Sequence, residues 1–135
     1  MTDRQRLRVL LVEDMPVNME LERLVFERGD FDVTTVGTGR EALAALETEE
    51  FDVVALDIKL PDMDGLAIAR QLKANPKTRH VPVVAITALA MKGDRERAMA
   101  SGCDAYITKP IDTRTLAETI SRGVQEHRED DGKPG

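Results

Sequence analysis

Val53-Val54-Ala55-Leu56-Asp57-Ile58-Lys59-Leu60-Pro61-Asp62-Met63-Asp64-Gly65 is the stretch on which the fold turns. Four apolar residues, two of them β-branched, end abruptly in a carboxylate. Such a run reads as a strand buried on both faces, with Asp57 emerging into the loop that follows. Pro61 and Gly65 punctuate that loop before the chain turns helical. In open α/β sheets, ligands bind outside the carboxyl ends of the strands, so Asp57 stands where chemistry is expected.

The same pattern repeats on either side. Arg8-Val9-Leu10-Leu11-Val12 is a first buried strand ending in Glu13-Asp14, and Phe31 to Val36 is a second. Val83-Val84-Ala85-Ile86-Thr87 is a fourth, ending in a hydroxyl, and Ala105-Tyr106-Ile107-Thr108 a fifth, followed by Lys109-Pro110. Helical spacing separates them. Pro16 opens a first helix, in which Val17, Leu21, Leu24 and Val25 form an apolar stripe edged by Arg28 and stopped by Gly29. Ala42, Leu43 and Leu46 mark a second helix, and Leu66, Ala69 and Leu72 a third that stops at Asn75-Pro76. Met91 to Ser101 predicts a fourth, closed by Gly102. Asp112 is placed to cap a fifth that carries Leu116, Ile120 and Val124. Five strands alternating with five helices, joined by right-handed crossovers, predict a parallel sheet with helices on both faces.

A chain of 135 residues, 41% apolar and 33% charged, has the make-up of one globular domain. Residues 1–128 are expected to form it, with the charged end, 129–135, as a frayed tail. A net charge of −6 argues against nucleic-acid binding, which needs clustered Lys and Arg. The single Cys103 reads as a packed small residue and allows no internal disulfide. No signal peptide or membrane span is legible, so a cytoplasmic protein is expected. The starting Met and the polar end favour a complete protein.

In a parallel sheet Glu13-Asp14, Asp57, Thr87 and Lys109 all fall on one edge. Three crowded carboxylates repel one another and need compensation. A divalent cation and the Lys109 ammonium would supply it. Hard oxygen donors at an incomplete site suit Mg²⁺ (or Mn²⁺), which keeps several waters and accepts a phosphoryl oxygen. Asp57 then reads as a nucleophile toward phosphorus, forming an acyl phosphate. Lys109 and the Thr87 hydroxyl would stabilise the phosphoryl oxygens.

Leu11-Val12-Glu13-Asp14, Leu56 to Gly65, Ile86-Thr87-Ala88 and Tyr106-Ile107-Thr108-Lys109-Pro110, in this order and spacing, resemble the receiver domain of bacterial two-component response regulators. The likeness runs to about Gln125. Ala90 to Asp94 together with Gly102 to Tyr106 resembles the small stand-alone cell-cycle receivers, and also receivers attached to hybrid kinases. The resemblance implies a flavodoxin-like (βα)5 fold of strand order 2-1-3-4-5. It implies Asp57 as the phosphorylated residue, and Asp14, Asp57 and the backbone carbonyl of Lys59 as metal ligands, with Glu13 acting mostly through water. Lys109 would contact the phosphoryl group, and a cis peptide would precede Pro110. Thr87 and Tyr106 would form a switch that repacks the face of helix four, strand five and helix five. The implied partners are a sensor histidine kinase or histidine phosphotransfer protein and downstream protein targets. The kinase side would dock near Met15-Pro16-Val17-Asn18. The protein would be a monomer or weak dimer and not a turnover enzyme.

Three rival motifs fail on their chemistry. Gly37-Thr38-Gly39-Arg40-Glu41-Ala42 has the form of a dinucleotide fingerprint, but the first strand ends in two acids that would repel a pyrophosphate. Asp62-Met63-Asp64-Gly65 lacks the ligands of a calcium loop at the flanking positions. An aspartyl-nucleophile phosphohydrolase resembling the haloacid-dehalogenase group needs an acid two residues past the nucleophile, where this chain has Lys59. His80 and His127 read as surface residues. The receiver resemblance implies that Lys59, two residues past Asp57, and Leu89, two past Thr87, flank the route of a hydrolytic water, and they are expected to set the lifetime of the phosphorylated form. Exchanging both should change the dephosphorylation rate, followed by loss of label from the phosphoprotein, and an unchanged rate would overturn the assignment.

Overall fold

Alternation inside each strand sets the layering. The computed structural model describes residues 6–58, 60, 62, 64–87, 92–109, 111, 114, 116, 118 and 119. Five parallel strands, β1 (Arg8–Val12), β2 (Asp32–Val36), β3 (Val53–Asp57), β4 (Val83–Thr87) and β5 (Ala105–Thr108), lie in the order β2-β1-β3-β4-β5. This is the expected flavodoxin-like sheet. Four helices connect them: α1 (Pro16–Arg28), α2 (Gly39–Thr48), α3 (Gly65–Ala74) and α4 (Asp94–Ala100). Beyond β5, Arg114, Leu116, Glu118 and Thr119 have helical backbone. Pro110, Asp112, Ile120, Val124 and the 129–135 tail lie outside the described residues.

Because side chains alternate across a strand, each strand feeds two cores. Leu10, Val12, Val54, Leu56, Val83 and Ala85 pack against Ala42 of α2, Ile68 and Leu72 of α3, and Ala98 of α4. Val9, Leu11, Val53, Ala55, Val84 and Ile86 pack on the other face against Phe26 of α1 and Leu116. Both central strands β3 and β4 are buried throughout, which is why they read as unbroken apolar runs. Cys103 is packed in the first of these cores, where burial pushes its thiol up to about 11. His80 is exposed, as expected.

The helix starts are chemically explicit. Thr38 accepts from the Glu41 N–H at 3.1 Å while Glu41 accepts from the Gly37 N–H at 2.9 Å, a reciprocal cap on α2. Gly37-Thr38-Gly39 is therefore the turn into a helix. Asp64 caps α3 by accepting from the Leu66 N–H at 3.0 Å.

Two helices depart from expectation. In α1 most of the predicted stripe is on the outside: Val17 is 69% and Leu21 58% exposed, and Leu24 is exposed as well, while Val25 packs against the core. The buried residues of that helix are Glu22 and Phe26, one turn apart on the same face. Phe26 fits edge-on to Phe31 at 5.7 Å between ring centres, and this contact fixes which face of α1 turns inward. The fourth helix is shorter than the sequence suggests. It starts at Asp94, after Gly93 at φ 89°, and Met91 lies outside the described residues.

Gly65 joins scaffold to site. A Cβ there would come within 2.5 Å of Ile58 Cα and 2.6 Å of the Asp57 carbonyl oxygen, so the start of α3 rests directly on the exit of β3. Gly65→Ala should therefore destabilise the fold by about 1–3 kcal/mol, because the clash is with backbone. Urea unfolding followed by circular dichroism measures this, and an unchanged midpoint would mean that α3 can back away from the strand.

Candidate functional site

The register carries the charged residues to one edge. Val12 lies beside Leu56, Asp57 beside Ile86, and Thr87 beside Thr108, so each strand delivers its next group to the same rim. Glu13, Asp14 and Asp57 offer carboxylate oxygens that all lie within 4.8 Å of one another. Glu13 is buried completely, Asp57 and Thr87 nearly so, and Asp14 is half-buried. Lys109 follows β5 and turns its ammonium back toward the acids. Its Nζ is 2.7 Å from Glu13 Oε1 and 3.5 Å from Asp57 Oδ2. The Lys109 backbone N–H donates to the Thr87 carbonyl at 2.9 Å, which locks the two strand ends together.

Glu22 was not anticipated as a site residue. Its Oε2 lies 3.0 Å from Lys109 Nζ, so three carboxylates from β1's end, α1 and β3 share one ammonium. The signal available in the sequence was Phe26: taking the largest apolar side chain of α1 as the anchor puts Glu22 on the buried face with it. The apolar count of the opposite stripe hides this.

Burial and pairing pull these groups in different directions. Burial tends to push Glu13 up, but hydrogen bonds from Lys109 and from the Met15 N–H outweigh it and hold the carboxyl below its usual range. For Glu22 burial prevails and pushes the carboxyl up to about 7 despite the Lys109 contact, with the Glu13 charge adding to the rise. Lys109 resists the effect of its own burial, since the hydrogen bonds to Glu13 and Glu22 and the charges of Glu22 and Asp57 hold its proton tightly.

The loop after Asp57 is anchored across the sheet edge. Asp62 accepts from the Gly39 N–H at 2.8 Å and the Arg40 N–H at 3.1 Å, capping the start of α2 from a different connection. Those N–H groups hold the Asp62 carboxyl below its usual range. Tyr106 on β5 is half-buried, and its buried hydroxyl has no hydrogen-bond partner among the described residues. Burial raises its pKa. Lys59, Ala88, Leu89 and Pro110 lie outside the described residues.

The donor set fits Mg²⁺. It consists of hard carboxylate oxygens, close together, with more negative charge than Lys109 balances. Glu13 has one oxygen on Lys109 and the other on the Met15 N–H at 3.1 Å, so both of its oxygens are engaged.

A five-stranded 2-1-3-4-5 sheet with an acidic cluster and a lysine at its carboxyl edge defines a class, and the sequence matches it. The chain belongs to the response regulator receiver domain family, whose model covers residues 9–121. It is similar to the polar-differentiation response regulator DivK of Brucella ovis, 42% identical over 112 residues, 83% of this chain and 91% of that protein. DivK of Brucella anthropi is matched to the same extent. Among solved structures, the receiver domain of a sensor histidine kinase from Pseudomonas aeruginosa PAO1 superposes with a TM-score of 0.81 at 32% identity, covering 89% of this chain and 98% of that one. That structure has a magnesium ion coordinated in its active-site cleft. A CheY-like receiver from Methanospirillum hungatei JF-1 gives a TM-score of 0.81 at 28% identity over 93% of this chain and 98% of that one. The protein is thus a two-component signalling receiver, of a family of response regulators and not of turnover enzymes. No described helix is long and apolar enough to cross a membrane.

The raised pKa of Glu22 fixes the sign of one pH effect in metal-free protein. The folded state holds this proton more tightly than the unfolded chain, whose carboxyl titrates near 4.5. The resulting stabilisation is complete below about 4.5 and is lost as pH rises through about 7. Glu22→Gln, always neutral, should lose less stability than wild type across that window in urea titrations. Parallel curves would contradict the assignment.

Proposed function

We propose that the protein is a phosphoacceptor response regulator whose Asp57 receives a phosphoryl group from phosphohistidine. The donor would be a sensor histidine kinase or a histidine phosphotransfer protein, and small acyl phosphates would substitute for it. The observation that carries this reading is the Lys109 ammonium 3.5 Å from Asp57, beside the Glu13, Asp14 and Asp57 cluster. A carboxylate oxygen of Asp57 attacks phosphorus, the bond from phosphorus to the imidazole nitrogen breaks, and the imidazole leaves and takes up a proton. Asp57 is left as an acyl phosphate. Asp14, Asp57 and the Lys59 carbonyl would hold Mg²⁺, with Glu13 acting through water. Bound there, the ion would offset charge on the phosphoryl oxygens. Lys109 pairs with one of those oxygens and the Thr87 hydroxyl donates to another.

The switch follows from packing. Thr87 is buried at the end of β4, so drawing it toward the phosphoryl group vacates space. Tyr106, on the neighbouring strand, rotates to fill it. That repacks the face formed by α4, β5 and the helix after β5, where downstream protein targets dock. The first turn of α1 and its approach, Met15-Pro16-Val17-Asn18, follow directly on Glu13-Asp14 and suit the kinase or phosphotransfer partner, and Met15 and Val17 are exposed there. Output is by protein contact rather than nucleic-acid binding, from a cytoplasmic monomer or weak dimer. Family membership favours this reading over the aspartyl phosphohydrolase.

A small acyl phosphate should label the protein in the presence of Mg²⁺. Chelation or Asp57→Asn should abolish labelling, and Lys109→Gln should slow it by roughly 100–1,000-fold. Label retained in Asp57→Asn, measured by intact mass, would overturn the assignment.

A further inference from the structure

Glu22 lies on a helix, not at a strand end, at a position whose buried neighbour on α1 is Phe26. A core helix position is ordinarily apolar, and a carboxylate there is costly unless it is paired. Its side chain is 8% exposed, and its partner is Lys109 at 3.0 Å. The lysine has three N–H donors, and Glu13, Glu22 and Asp57 stand around it at 2.7, 3.0 and 3.5 Å.

We propose that Glu22 is a positioning residue that holds the Lys109 ammonium in the unphosphorylated site and competes with the phosphoryl oxygens for it. The inference rests on the phosphoacceptor reading above. A phosphoryl group on Asp57 brings new anionic oxygens that need a Lys109 donor, so an existing contact must be released. Glu13 is tied to the scaffold by the Met15 N–H as well as by Lys109. Among the described residues no backbone N–H ties Glu22 in the same way, which makes it the contact to give up. Its charge also acts with opposite sign on the two ligands. An ionised carboxylate next to the acidic cluster favours a bound cation and opposes an incoming anion. Glu22 therefore tightens the resting site around metal and sets a threshold against phosphorylation.

Opposite shifts are the diagnostic. Calorimetry at one fixed pH would measure Mg²⁺ affinity and, at saturating Mg²⁺, the affinity for beryllofluoride as phosphoryl mimic. Wild type, Glu22→Gln and Glu22→Leu would be compared, the leucine variant keeping an apolar filling should the glutamine variant fold poorly. Both variants should bind beryllofluoride about tenfold tighter and Mg²⁺ several times more weakly. A purely structural glutamate, once removed, would weaken both ligands together. Affinities that move in the same direction, or that do not move, overturn the competition while leaving the phosphoacceptor reading intact. Wild-type protein that binds no beryllofluoride in the presence of Mg²⁺ overturns both.

Discussion

One ammonium shared among three carboxylates is the constraint around which the site is arranged. Lys109 cannot neutralise Glu13, Glu22 and Asp57 together, and Asp14 adds further charge nearby. The resting site therefore carries an excess of negative charge that the fold itself must hold in place. Sheet, capped helices and the Phe26–Phe31 contact restrain groups that would otherwise separate. The same imbalance makes the site receptive to a divalent cation.

The parallel sheet solves a geometric problem that no local motif could. Strands of one direction bring their carboxyl ends together, so residues remote in sequence become neighbours without any long loop. The connections then add precision. Gly65 lets α3 press on the exit of β3, and Asp62 reaches across to the start of α2. Two described residues after Asp57 are thereby tied down, Gly65 by close packing on the β3 exit and Asp62 by its carboxylate.

Much of this was legible in the sequence, for definite reasons. β3 and β4 are buried on both faces and read as continuous apolar runs, and the residues that end them are fixed by topology once the sheet is parallel. Glu13, Asp14, Asp57, Thr87 and Lys109 could therefore be placed on one edge in advance. Glu22 could not, because its burial depends on a lysine from the opposite end of the chain and on Phe26 outweighing Val17, Leu21 and Leu24 in choosing the inward face. The capping of α2 by Asp62 was hidden for a similar reason: its partners belong to another helix. The length of α4 was overestimated because Gly93, in a left-handed conformation, delays the helix start until Asp94.

That short helix has a further consequence. α4 spans seven residues and buries only Ala98. Its amide protons are thus secured by few hydrophobic contacts, whereas those of β3 and β4 sit in a fully enclosed ladder. Local opening of α4 is an excursion of low free energy that leaves the sheet closed. Exchange with solvent deuterium would divide the molecule accordingly, into a slow parallel core and a fast segment on the side where β5 forms the edge of the sheet. A face built from weakly protected structure can be remodelled by a modest input of binding energy while the rest of the domain keeps its shape.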